Sequence, residues 1–181
     1  MNDQDIRTSE YDGDEVQDYS CNCNCGCPCE RPKKFLKPNR TILKCGSQGG
    51  VSLPALTAAG STFTLASVTV DTKYLKRPCI KFEFASNIVT TAAVLTLNFQ
   101  LFKQCKNQIT ALPVGPIWTF SRIVAITDSN TFSFFVCDCD FCSDDCCTYS
   151  VIATVAGVAT VGVTAINNAT LAALIVDNEC F

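Results

Sequence analysis

From position 41 onward the apolar residues recur with a period of two. Ile80, Phe82 and Phe84 alternate with Lys81 and Glu83, and Leu95, Leu97, Phe99 and Leu101 alternate with Thr96, Asn98 and Gln100. Such alternation sets one face of an extended strand on a core and the other in water. Between positions 62 and 70 the phase slips: Phe63 and Leu65 share one face, Val68 and Val70 the other, which predicts a bulge near Ala66 and Ser67. Further strand-like runs lie at 41–45, 51–57, 117–124, 131–137, 148–156, 158–166 and 169–176. Turn signals separate them: Gly49-Gly50, the two prolines within 113–116, residues 128–130, and Asn167-Asn168, read as a tight hairpin because asparagine tolerates positive φ. About nine short strands at this spacing predict an all-β fold, an antiparallel, jelly-roll-like β-sandwich over residues 39–181.

Residues 148–176 carry no charge. Threonines, Gly157, Gly162 and the asparagine pair interrupt the stretch, and it lacks the unbroken apolar run of about 18 residues that a membrane helix needs. It reads as strands, and no membrane partner is expected.

The N-terminal region is different in kind. Residues 1–20 hold seven acids against Arg7 alone, with Ile6 and Val16 as the only aliphatics, a composition that cannot bury enough surface to order itself. This is an acidic, disordered tail. Residues 21–38 combine Cys21, Cys23, Cys25, Cys27 and Cys29 with Pro28, Pro32 and Pro38, which favours extended backbone and excludes a helix. In an extended chain, side chains at i and i+2 point the same way with Cα atoms about 6.5–7 Å apart, at or beyond the reach of a relaxed disulfide. Neighbours in the row are poor partners for one another. A connector that presents its thiols along one edge is suited to a second body, either another subunit or a soft metal ion.

Nine more cysteines follow, making 14 in 181 residues. Cys137, Cys139, Cys142, Cys146 and Cys147 are interleaved with Asp138, Asp140, Asp144 and Asp145 in a wet loop suited to disulfide exchange, and Cys139 and Cys142 also have the C-x-x-C spacing of a zinc knuckle. Cys45, Cys79 and Cys105 sit at strand ends and Cys180 one residue from the last, as candidate receivers for the connector of a neighbour; Cys45 and Cys79 also fit as small buried residues.

Charge and composition narrow the function classes. Residues 1–20 carry −6 and the remainder +3, so neither part is basic enough for nucleic acid, and the basic residues at 31–40 are broken up by prolines into a solvated linker. Histidine is absent. With it go the commonest general acid/base and every Cys-His or Ser-His arrangement, so no enzyme, catalytic residue or cofactor is expected. The first twenty residues have neither the basic nor the apolar region of a secretory signal. Either the chain stays in a reducing interior and binds metal, or it reaches an oxidising place by another route, such as lysis of the producing cell.

The segments Ile42-Leu43-Lys44-Cys45-Gly46, Leu97-Asn98-Phe99-Gln100-Leu101-Phe102-Lys103 and Pro113-Val114-Gly115-Pro116-Ile117-Trp118-Thr119-Phe120-Ser121-Arg122, the run 131–149, and Ile166-Asn167-Asn168-Ala169-Thr170-Leu171 resemble an uncharacterised domain family of anaerobic spore formers over about residues 40–177. The layout, a cysteine-bearing connector ahead of a small β-domain, also resembles endospore appendage subunits. That resemblance implies a jelly-roll subunit that stacks by edge-strand augmentation, with connector cysteines bonded to those of other copies. The chain departs from it in having five alternating cysteines, an acidic tail and the 137–147 cluster. The expected function is thus a structural subunit of a disulfide-cross-linked helical homopolymer on the spore surface or outside the cell. Its partners are copies of itself and a spore-surface anchor protein; its cross-linking residues are those of the connector with Cys45, Cys79, Cys105 and Cys180. The alternatives are a soluble protein binding zinc or copper through its cysteine clusters, and a surface adhesin.

Overall fold

The computed structural model describes residues 40–73, 75, 77–106, 108–139, 146–157 and 159–177. The expected tail and connector, with Cys21, Cys23, Cys25, Cys27 and Cys29, lie outside them, as do Cys142 and Cys180. The described residues form eight antiparallel strands: β1 (Thr41–Cys45), β2 (Gly49–Leu53), β3 (Thr62–Asp71), β4 (Pro78–Cys105), β5 (Leu112–Ile123), β6 (Thr127–Asp138), β7 (Cys146–Val155) and β8 (Val161–Asp177).

β4 organises the sandwich. Its first half pairs with β8 on one side and β6 on the other, and its second half pairs with β7 and β5. β1 and β2 lie end to end along β8, and β3 pairs with β7. One sheet therefore runs β1/β2, β8, β4, β6, the other β3, β7, β4, β5. The strand crosses between them at Ala92, whose φ is 45°, where the register with β8 slips between Thr91 and Val94. Opposite stands Gly162, with φ 75°; a Cβ there would lie 2.2 Å from the Ala92 carbonyl oxygen, so the crease admits no side chain. Up to the crease the inward residues of β4 are even-numbered (Phe82, Phe84, Ile88, Thr90) and beyond it odd (Leu95, Leu97, Phe99, Leu101).

Both ends of β4 thus reach one pole and the crease forms the other. One flank is nearly closed, since Gly46 N–H donates to the Leu171 carbonyl at 2.8 Å and Ser47 N–H to that of Ser67 at 2.9 Å, stitching the β1/β2 junction to β3 and β8. On the opposite flank β5 and β6 face each other through aromatic rings, Trp118 stacking on Phe134 at 5.5 Å and Phe120 meeting Phe132 edge-on at 5.8 Å, while β4 adds Phe84 against Phe134 at 5.1 Å and Phe99 against Phe132 at 4.5 Å. Each such ring removed from water contributes roughly 1.5–3 kcal/mol, and each pairing about 0.5–1.5 kcal/mol more.

The sandwich is the expected one, but several boundaries differ. The runs around 80–84 and 95–101 are a single 28-residue strand. Asn167-Asn168 makes no hairpin: 158–166 and 169–176 belong largely to one strand, in which Asn168 (φ 53°) is an extra residue against both β4 and β2, its left-handed backbone absorbed as a bulge. The prolines at 113 and 116 lie within β5, tolerable because that strand is at a sheet edge, and residues 128–130 lie within β6. The bulge in β3 falls at Leu65, next to the expected Ala66.

Candidate cross-linking sites at the cysteine-bearing pole

The pole holding both ends of β4 also holds the two disulfides found among the described residues. Cys105 and Cys147 occupy directly opposed positions on β4 and β7, Cα atoms 4.0 Å apart, and are bonded. Cys79 bonds to Cys139, just beyond the Ile80 and Asp138 pair of β4 and β6, with Cα atoms 4.2 Å apart. Each bond joins a member of the expected cross-linking set to a member of the expected loop cluster, and both lie within one chain. The loops closed span 42 and 60 residues, each stabilising by about 4 kcal/mol in the chain-entropy treatment. Arg40 enters the sandwich here, its carbonyl accepting from Asp177 N–H at 3.0 Å.

Between the disulfides lies a buried polar group that periodicity hinted at and composition hid. Lys103 Nζ donates to Asp138 Oδ2 at 2.8 Å, and Tyr149 Oη donates to the same oxygen at 2.8 Å. The Lys103 and Asp138 side chains are 10% and 4% exposed. Phe82 packs on the Tyr149 ring at 4.2 Å, and Lys103 Nζ lies 5.6 Å from its centroid. Burial, then the neighbouring Asp138 carboxylate, raises the pKa of Tyr149 well above the ordinary phenol value. The sequence places Asp138 among the acids of the cysteine loop and Lys103 in a strand-like segment, but neither was expected as a partner of the other or of Tyr149. The signal was that Lys103 falls in phase with Phe99 and Leu101, Asp138 with Phe134 and Val136, and Tyr149 with Val151.

Three described cysteines are unbonded: Cys45 and Cys137, both exposed, and the half-buried Cys146. Cys146 lines a hollow with Gln104, Lys106, Gln108 and Thr148. Cys45 and Cys137 belong to the outer face of the β1-β8-β4-β6 sheet at opposite margins. The register runs Cys45, Ala172, Glu83, Phe135 across it, with Leu43, Leu174, Lys81, Cys137 as the adjacent row. Three strand steps, about 14 Å, separate the two margins. Between the margins Glu83, Ala85, Ser133, Phe135, Thr170 and Ala172 line an open hollow of about 450 Å³. Lys81 pairs with Glu83 at 2.6 Å and lies over the Phe135 ring at 5.4 Å; the Glu83 carboxylate raises its pKa. Among the described residues no three cysteines or acids come together to hold a metal ion, and no helix is long and apolar enough to cross a membrane.

β5 and β6 each pair with β4 alone, leaving an outer edge open on both among the described residues. β5 is blunted by Pro113 and Pro116, whereas the twelve residues of β6 contain no proline and end at Cys137 and Asp138.

A family described as a domain of unknown function, DUF4489, matches residues 39–176. No curated protein matches significantly. Among solved structures, a carbohydrate-binding module of the β-sandwich superfamily is 9% identical with a TM-score of 0.32, covering 75% of this chain and 57% of its own. The structure of the infectious bursal disease virus Gx strain is 14% identical with a TM-score of 0.30, covering 77% of this chain and 40% of its own. The chain thus spans only about half the length of these structures, and likenesses this distant carry nothing about what it binds.

Proposed function

Since the chain belongs to the DUF4489 family, whose description assigns no activity, we propose from its own geometry that it is a structural subunit of a self-assembling, disulfide-cross-linked fibre on the spore surface or outside the cell. The observation that carries this reading is β6: a long, proline-free, unpaired sheet edge that ends beside an exposed thiol. Such an edge is a template for an extended segment of another copy, and main-chain hydrogen bonds then set the register.

The poles of the body are unlike. One carries the disulfides and the start of the sandwich; the other exposes Val94 beside Ile123 and Val161, with Ile126 and Val163 nearby. Contact between unlike surfaces is heterologous and propagates instead of closing. The connector row at positions 21–29 supplies thiols, and Cys45 and Cys137 receive them, because Cys79 and Cys105 are already bonded within their own chain. Each new bond forms as two thiols give up two protons and two electrons to an oxidant such as dioxygen or a small disulfide. No cofactor or catalytic step is involved, and the partners are further copies with an anchor protein at the base.

The test is to oxidise the purified full-length chain and inspect it by negative-stain microscopy and on denaturing gels with and without reductant. Filaments and a reductant-sensitive ladder are expected. A species that stays monomeric after oxidation and migrates identically in both lanes overturns the reading.

A further inference from the structure

The geometry points to a covalent bond of a second kind: an amide between Lys103 Nζ and the Asp138 side-chain carbonyl carbon, formed by the folded domain itself. Three observations carry it. The amine and the carboxylate are in direct contact at 2.8 Å, which brings Nζ close to the roughly 3–3.5 Å separation of reacting atoms in a near-attack geometry. Both side chains are nine-tenths or more buried beside the rings of Tyr149 and Phe82, out of bulk water, where an ion pair is costly to keep desolvated. A hydroxyl, Tyr149 Oη, is hydrogen-bonded to the carboxyl oxygen that Lys103 also touches.

The step balances without oxidant or co-reactant. A proton passes from the ammonium to the carboxylate, leaving NH2 and COOH. Nζ attacks Cγ, charge develops on the other carboxyl oxygen, and the protonated Oδ2, to which the Tyr149 hydroxyl donates, leaves as water with a second proton from the attacking nitrogen. One C–N bond forms, one C–O bond breaks, and the product is a neutral amide in place of a buried ion pair, whose desolvation cost disappears. The bond ties the second half of β4 to the end of β6, 35 residues apart in sequence, and so joins one sheet to the other between the two disulfides. Unlike them it survives reductant. It requires no second copy, and it stands or falls independently of fibre formation.

The experiment is intact-mass measurement of the purified full-length chain, denatured and fully reduced, followed by peptide mapping. The expected result is a mass one water below that of the sequence, with a branched peptide containing Lys103 and Asp138 and no tryptic cleavage after Lys103. Lys103→Arg keeps the positive charge and should restore the full mass. Asp138→Asn should lose one ammonia in place of one water, and Tyr149→Phe should lower the converted fraction several-fold while the fold, read by circular dichroism, is kept. A wild-type mass equal to that of the sequence after prolonged incubation of the folded protein overturns the inference. So does a loss of water that persists in Lys103→Arg.

Discussion

Cys105 of β4 and Cys147 of β7 face each other across adjacent antiparallel strands and are bonded at a Cα separation of 4.0 Å. The bond closes a loop that contains all of β5 and β6, and the denatured chain loses the corresponding freedom. Replacing both residues by serine should therefore lower unfolding stability by about 3–4 kcal/mol, measured by denaturant titration without reductant. Cys45→Ser, at an exposed position, should change stability by no more than about 0.5 kcal/mol.

The crease makes a separate demand. Gly162 has φ 75° and no room for a Cβ beneath the Ala92 carbonyl, so Gly162→Ala should cost about 2 kcal/mol or more. Gly60 has φ 83° but open space around it, and Gly60→Ala should incur only the backbone strain, about 1 kcal/mol. Thermal unfolding of the two variants side by side separates the steric contribution from the conformational one.

How much of this was written legibly in the chain follows from where the period of two is interrupted. β1, β3 and β7 kept their phase or slipped once, and their positions were readable. β4 was not read as one strand because the inward parity changes at Ala92, and a change of parity looks like the end of a strand when no partner is in view. Asn168 misled for the same reason: a left-handed asparagine serves a hairpin and a bulge equally well, and only the pairing with β4 and β2 distinguishes them. The disulfides were beyond reach because Cys79 meets Cys139 through strand register, not through local spacing. Lys103 carried a usable signal, a charge in phase with Phe99 and Leu101, which no metal-ligand or nucleophile spacing marks.

Tyr149 ties stability to alkaline pH. Its folded-state pKa is raised above the ordinary value of 10.0, so in the unfolded chain it ionises first. Its contribution is fully present below pH 10 and is lost as pH rises from there towards the folded-state value, at up to about 1.4 kcal/mol per pH unit. Tyr149→Phe should flatten this decline from about pH 10 upward when unfolding is followed by fluorescence of Trp118.

The proposed assembly should discriminate between the free thiols. Cys137 lies on the outer face at the end of the unpaired β6, whereas Cys45 sits on the far margin of the same sheet, so a segment added along β6 reaches Cys137 first. Cys137→Ser should leave the sandwich folded, because the residue is exposed and unbonded, but should remove most of the reductant-sensitive ladder on a denaturing gel; Cys45→Ser should shorten it less. Phe135→Lys places a charge on the hollow beside β6 without touching a thiol, and should weaken stacking before any covalent bond forms, seen as fewer filaments under reducing conditions. If Cys137→Ser ladders like the wild type while Phe135→Lys stacks like it too, β6 is not the contact edge, and the open edge of β5 becomes the surface to test.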